Sequence, residues 1–93
     1  MTDDQPLPDL SAVRALDPDA RLLDLAAWDV LDVTASVEPV PLRAVMIIEF
    51  GDGWLIRTAG DTDWWMGQPD RDAPVLRCWG TYGSDLRRAF DAL

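Results

Sequence analysis

The side chains best suited to chemistry in this sequence are two pairs of aspartates. The pairs are Asp61 with Asp63 and Asp70 with Asp72. Two carboxylates held close together can act as a general acid and base, or can bind a divalent cation. Both pairs lie in polar stretches between predicted strands, where solvated aspartate is the usual state. Residues 60–63 also lack the glycine and closing glutamate that complete an EF-hand loop. We therefore predict that neither pair is a catalytic or metal-binding site.

Other nucleophiles and metal ligands are sparse. The chain contains no histidine and a single cysteine, Cys78. This composition excludes Ser-His and Cys-His nucleophile pairs, and it excludes the Cys and His ligand sets of zinc sites. Cys78 alternates with outward residues in a predicted strand, so we expect a small core residue rather than a reactive thiol. We predict that the protein is not an enzyme and holds no cofactor.

Tryptophan is more informative, with five copies in 93 residues. Trp64 and Trp65 are adjacent, so in a strand their side chains point to opposite faces of the sheet. A turn around residues 60–61 places Arg57 opposite Trp64 and Ile56 opposite Trp65. On this pairing Trp65 joins the core, and Trp64 lies outside beneath Arg57.

Exposed tryptophan beside arginine would form a contact surface, because both residue types are enriched in binding hot spots. The alternative is that helices cover both faces of the sheet and bury the same side chains. We take the surface as the candidate partner-binding site, with the loop aspartates at its rim. Its members are Trp64, Arg57, Asp61, Asp63, Asp70, Asp72, Arg77 and Trp79.

The net charge of the chain is −9, from 17 acidic and 8 basic residues. Such a charge repels phosphate backbones and anionic membranes, and it attracts basic proteins. We therefore expect a basic protein partner, with no direct binding of nucleic acid and no membrane association. Two plainer explanations stay open, because acidity also keeps a small protein soluble or reflects a GC-rich or high-salt source.

Two helical segments are predicted near the N-terminus. Asp9 or Ser11 caps a short helical turn that ends at Leu16. Asp17 followed by proline is typical of a helix start, so a second helix is predicted over residues 18–27.

The pattern then changes to a period of two. Residues 29–37 alternate between apolar and polar side chains, which predicts a half-buried strand with Leu31 and Val33 on its inner face. A helix that continues through Leu31 is the alternative.

The clearest predicted element is a hairpin that joins residues 43–50 to residues 54–58. A three-residue loop, with Gly53 in the left-handed conformation, keeps one face wholly apolar. A two-residue loop would instead bring Arg57 onto that face. The predicted core face contains Met46, Ile48, Phe50, Trp54 and Ile56.

The rest of the chain is predicted to form two strands and a helix. The strands cover residues 63–67 and 75–79, with Leu76 and Cys78 on one face of the second. Ser84 is expected to cap a final helix up to Leu93, whose apolar residues recur at helical spacing.

These elements predict an α+β fold. We expect an antiparallel sheet of about four to five strands, with a C-terminal helix packed on one face and an N-terminal helical segment. Residues 9–93 suffice for one domain, preceded by a flexible acidic tail at residues 1–8. The first residues do not resemble a signal peptide, and the longest apolar run, residues 44–48, is too short to span a membrane. We expect the protein to be cytoplasmic.

No motif in the chain is specific to one family. At the level of class, a small acidic α+β domain without catalytic residues resembles bacterial and phage inhibitor proteins, including toxin-immunity and anti-CRISPR or other anti-defence proteins. The resemblance rests on size and charge. It implies a protein that binds and neutralises a protein partner, in one variant as a nucleic-acid mimic. The alternatives are an accessory subunit or homo-oligomeric domain of a larger complex and, third, a small-molecule-binding domain.

Overall fold

The computed structural model describes residues 7–34, 38–51, 53–70 and 74–93. Within these residues the chain forms seven strands, two short α-helices and one 3₁₀ helix. The elements in chain order are α1 (Leu10–Leu16), β1 (Arg21–Leu22), the 3₁₀ helix (Leu25–Ala27), β2 (Asp29–Asp32), β3 (Val40–Leu42), β4 (Ala44–Phe50), β5 (Gly53–Thr58), β6 (Trp64–Pro69), β7 (Val75–Thr81) and α2 (Leu86–Asp91).

The strands form a single mixed sheet in the order β1-β4-β5-β6-β7-β2-β3. Neighbouring strands are antiparallel except β2 and β7, which are parallel. β3 ends the sheet and β4 lies near its opposite end, yet only Arg43 separates these two strands in the chain. One residue spans only about 3.5 Å. The sheet must therefore curl, and it forms a half-barrel.

This architecture shows that the predicted fold class was wrong. The sheet is mixed and has seven strands, whereas we expected about four to five antiparallel strands. β1 and β3 are too short to produce a periodic signal in the sequence. The parallel pair of β2 and β7 joins the two halves of the chain, which no local pattern encodes.

The curled sheet buries apolar residues on both faces. Its outer face over β4, β5 and β6 is covered by α1 and α2. This outer core includes Val13, Ile48, Phe50, Leu55, Trp64, Met66 and Ala89. The inner face encloses a second core of Val30, Ile47, Ile56, Leu76 and Cys78.

The helix predicted over residues 18–27 does not form. Asp17 accepts a hydrogen bond from the backbone N–H of Asp19 at 3.0 Å, which closes a turn. The chain continues as β1, where Arg21 pairs with Glu49. Asx turns and helix N-caps use the same residue types, so the sequence does not distinguish them here. The preceding short helix is present as α1, capped by Asp9.

β2 is shorter than predicted and ends at Asp32. Val30 is buried and Leu31 is only half-buried, so the inner face is not the predicted one. The N–H and hydroxyl of Thr34 both donate to Asp32 Oδ1, which turns the chain after the strand. The end of the predicted strand, residues 35–37, lies outside the described residues.

The hairpin register also differs from the prediction. Phe50 lies opposite Gly53 and Ile47 lies opposite Ile56, so Ile56 belongs to the inner core rather than to the face of Ile48. Gly53 is not left-handed, because the positive-φ glycines of the described residues are elsewhere. The predicted register requires that only one face of the hairpin is buried. Because both faces are buried, an apolar alternation does not select a register.

The later elements agree better with the sequence. The predicted pairing of Arg57 with Trp64 is confirmed, and so is the buried face that Leu76 and Cys78 share on β7. The final helix begins after Asp85 rather than Ser84, since the Asp85 carboxylate accepts hydrogen bonds from the first turn of α2.

Candidate functional site

Two of the predicted site residues lie inside the protein. Trp64 is 1% exposed and Arg57 is 4% exposed, so neither can present a surface to a partner. The Arg57 guanidinium lies over the Trp64 ring, and its Nε donates to the backbone oxygen of Asp61 at 3.0 Å. We expected Trp64 outside the core. It is buried instead because α1 and α2 cover this part of the outer face.

Asp61 and Asp63 belong to the turn that joins β5 to β6. Asp61 Oδ1 accepts a hydrogen bond from the N–H of Asp63 at 2.9 Å, so this carboxylate stabilises its own loop. Asp61 is exposed and Asp63 is half-buried. The two residues lie at the end of β6 that is distant from Asp70.

Asp70 and Arg77 form an ion pair near the other end of β6. Arg77 Nη2 lies 3.1 Å from Asp70 Oδ2, and both side chains remain partly exposed. Asp72 lies outside the described residues. The structure thus separates the predicted site into three parts. Arg57 and Trp64 are buried, Asp61 and Asp63 form the turn between β5 and β6, and Arg77 and Trp79 are exposed on β7.

Trp79 is the most exposed of the predicted aromatic residues, at 43%. Met66 pairs with Gly80 and Gly67 pairs with Cys78, so Trp79 is the extra residue of a β-bulge in β7. A groove of about 280 Å³ lies beside it. The groove is lined by Gly53, Met66, Gly67, Gln68, Trp79, Tyr82, Ala92 and Leu93.

Tyr82 was missed by sequence reasoning, although it is 49% exposed and lines the same groove as Trp79. Its backbone N–H donates to the oxygen of Trp64 at 3.0 Å, which holds this residue beside β6 after β7 has ended. The available signal was its position three residues after Trp79, between the predicted strand at residues 75–79 and the predicted helix cap at Ser84.

Among the described residues, α1 and α2 pack over β4, β5 and β6 and leave the outer face of β7, β2 and β3 without a helix. Because Leu76 and Cys78 point inward, Arg77 points outward by strand alternation. Trp79 lies at the bulge and lines a groove with Met66 of the outer core, so it also belongs to the outer side. The strand register places Leu31 of β2 beside Arg77, and Pro41 of β3 beside Leu31. We call this surface the open face, and it consists of Trp79, Arg77, Val75, Leu31 and Pro41.

A second groove lies at β2 and β3, at one edge of the sheet. Its volume is about 340 Å³, and its walls are mainly apolar. The lining residues are Trp28, Asp29, Val30, Leu31, Pro41, Leu42 and Val75. Of these, Asp29 is exposed and contributes a carboxylate.

The two edges of the sheet are poor templates for an added strand. β3 contains Pro41, which lacks an N–H and cannot donate to a neighbouring strand. β1 has only two residues, and Arg21 on it is ion-paired with Glu49. The described edge strands therefore offer little free backbone for strand addition.

Many of the aspartates have structural roles. The chain has 15 aspartates, and at least six of those that the structure describes accept a hydrogen bond from a backbone N–H two or three residues later. They are Asp9, Asp17, Asp24, Asp32, Asp61 and Asp85. The short aspartate side chain reaches its own backbone, as glutamate does less well. This accounts for part of the strong preference for aspartate over glutamate.

The only cysteine is buried on β7, beside Asp32 of β2. Burial, with a smaller effect of the Asp32 charge, raises the pKa of the Cys78 thiol from 9.0 to about 12. Within the described part of the chain, no three His, Cys, Asp or Glu residues cluster closely enough to hold a metal ion. Nor do the described helices include one that is long and apolar enough to cross a membrane.

Comparison of the chain with protein families, with curated proteins and with solved structures gave no match.

Proposed function

We propose that this is a small, non-enzymatic, acidic protein that binds a basic protein partner and neutralises it by covering a functional surface. The proposal rests mainly on the open face and on the groove beside Trp79, which Trp79 and Tyr82 both line at 43% and 49% exposure. Large aromatic side chains on a rigid strand lose little conformational freedom on binding and often anchor interfaces.

Charge supports a basic partner. The chain carries a net charge of −9, and the open face is flanked by Asp29 and Asp70. A field of this sign accelerates encounter with a positively charged protein and fixes its orientation. The nucleic-acid mimic variant receives less support. Six aspartates lie where they stabilise turns and helix starts, so their positions are explained without a role as phosphate mimics.

The chemistry of the described residues supports a non-enzymatic role. Cys78 is buried and its raised pKa keeps the thiol protonated at neutral pH, so it lacks the reactive thiolate of a nucleophile. The Asp61 carboxylate accepts a hydrogen bond from the N–H of Asp63, and the Asp70 carboxylate forms an ion pair with Arg77. Both carboxylates thus already have partners within the chain.

The alternative is an accessory subunit or a homo-oligomer that buries the same open face. Its apolar content would suit a second copy, but the charge of −9 on each copy opposes self-association. Trp64 and Trp79 are the two tryptophans of the predicted contact surface. Only Trp79 is accessible to a second subunit, because Trp64 is buried.

The test is affinity capture with three tagged forms: the wild type, Trp79→Ala and Leu22→Ser. Leu22 is 41% exposed on β1, and three strands lie between β1 and β7, so Leu22→Ser is the matched surface control. We expect one basic protein in a stoichiometric complex with the wild type and with Leu22→Ser, at much lower yield with Trp79→Ala.

The purified complex should weaken as salt rises, because screening reduces attraction between opposite charges. Equal capture by all three forms would contradict a role for the open face. An affinity that is constant from low to high salt would contradict the electrostatic part. A homo-oligomer by light scattering that dissociates on Trp79→Ala substitution would favour the accessory-subunit alternative.

A further inference from the structure

We draw no further inference here: the strongest candidate, the groove that Gln68, Trp79 and Tyr82 line between β6, β7 and the residues after α2, belongs to the site already described, and nothing in the structure shows what covers it.

Discussion

The guanidinium carbon of Arg57 lies 5.5 Å from the centre of the Trp64 ring, and the two residues face each other across β5 and β6. Both are almost completely buried. A buried arginine is costly unless its charge and its N–H groups are satisfied. Here the indole face accommodates the charge, and the backbone oxygen of Asp61 accepts from Nε.

This contact predicts a measurable coupling between the two residues. Arg57→Met should lower the free energy of unfolding by about 2 kcal/mol, because it removes the cation–π contact and the donor to Asp61. Trp64→Leu should lower it by about 3 kcal/mol through the cavity that it leaves. Urea unfolding of both single variants and the double variant should give a coupling energy of about 1 kcal/mol. Strictly additive effects would show that the contact contributes nothing.

Cys78 should make stability depend on alkaline pH. Burial, and to a lesser extent the Asp32 charge, raise the pKa of the folded-state thiol from 9.0 to about 12. Above pH 9 the unfolded state loses this proton while the folded state keeps it, so stability contributed by the thiol falls between about pH 9 and 12. Denaturant unfolding of wild type and Cys78→Ala across this range should show a steeper decline for the wild type. Parallel curves would contradict the shift.

The same burial predicts an unreactive thiol in the native protein. A disulfide reagent at pH 8 should modify Cys78 only on unfolding, at a rate that rises with urea concentration. Immediate modification of native protein would mean that β7 opens readily or that the thiol is exposed.

Asp85 should stabilise α2 as a cap rather than as a surface charge. Asp85→Ala removes the acceptor for the N–H groups of Arg87 and Arg88 and should cost about 1 kcal/mol. Asp85→Asn keeps an acceptor oxygen and removes the charge, so its unfolding midpoint should stay close to that of the wild type. If Asn and Ala are equally destabilising, charge rather than capping is responsible.

Gly67 and Gly80 form a matched pair on β6 and β7. A Cβ at Gly67 would lie 2.8 Å from Ile56 Cδ1 and 3.2 Å from Cys78 Sγ, whereas a Cβ at Gly80 meets nothing within 4 Å. Gly67→Ala should therefore lower the free energy of unfolding by about 1–3 kcal/mol through overpacking. Gly80→Ala should leave it nearly unchanged. Comparable thermal midpoints for the two variants would contradict this packing at the inner core.

The sequence alone was sufficient for several local features. The pairing of β5 with β6 followed from one short turn, and the shared face of Leu76 and Cys78 followed from alternation. The short helix ending at Leu16 was predicted with Asp9 or Ser11 as its cap, and in the structure Asp9 caps it by accepting from the N–H of Ala12. Each of these features depends on residues that are close together in the chain.

The candidate site could be predicted only in part. Trp79 was expected to be exposed and is exposed, but Arg57 and Trp64 are buried and Tyr82 was not considered. Strand alternation determines which residues share a face. It does not determine which face the helices cover, because that depends on contacts between distant segments.

Length, acidity and the lack of histidine were determined by the sequence itself, and so were the local turns and the β5–β6 pairing. Only the tertiary structure decided the curl of the sheet, its parallel β2–β7 pair and the open face that contains Trp79. The physical reason is that both faces of the sheet bury apolar residues. A periodic pattern then identifies a strand but leaves its register, its long-range partner and its exposed side undetermined.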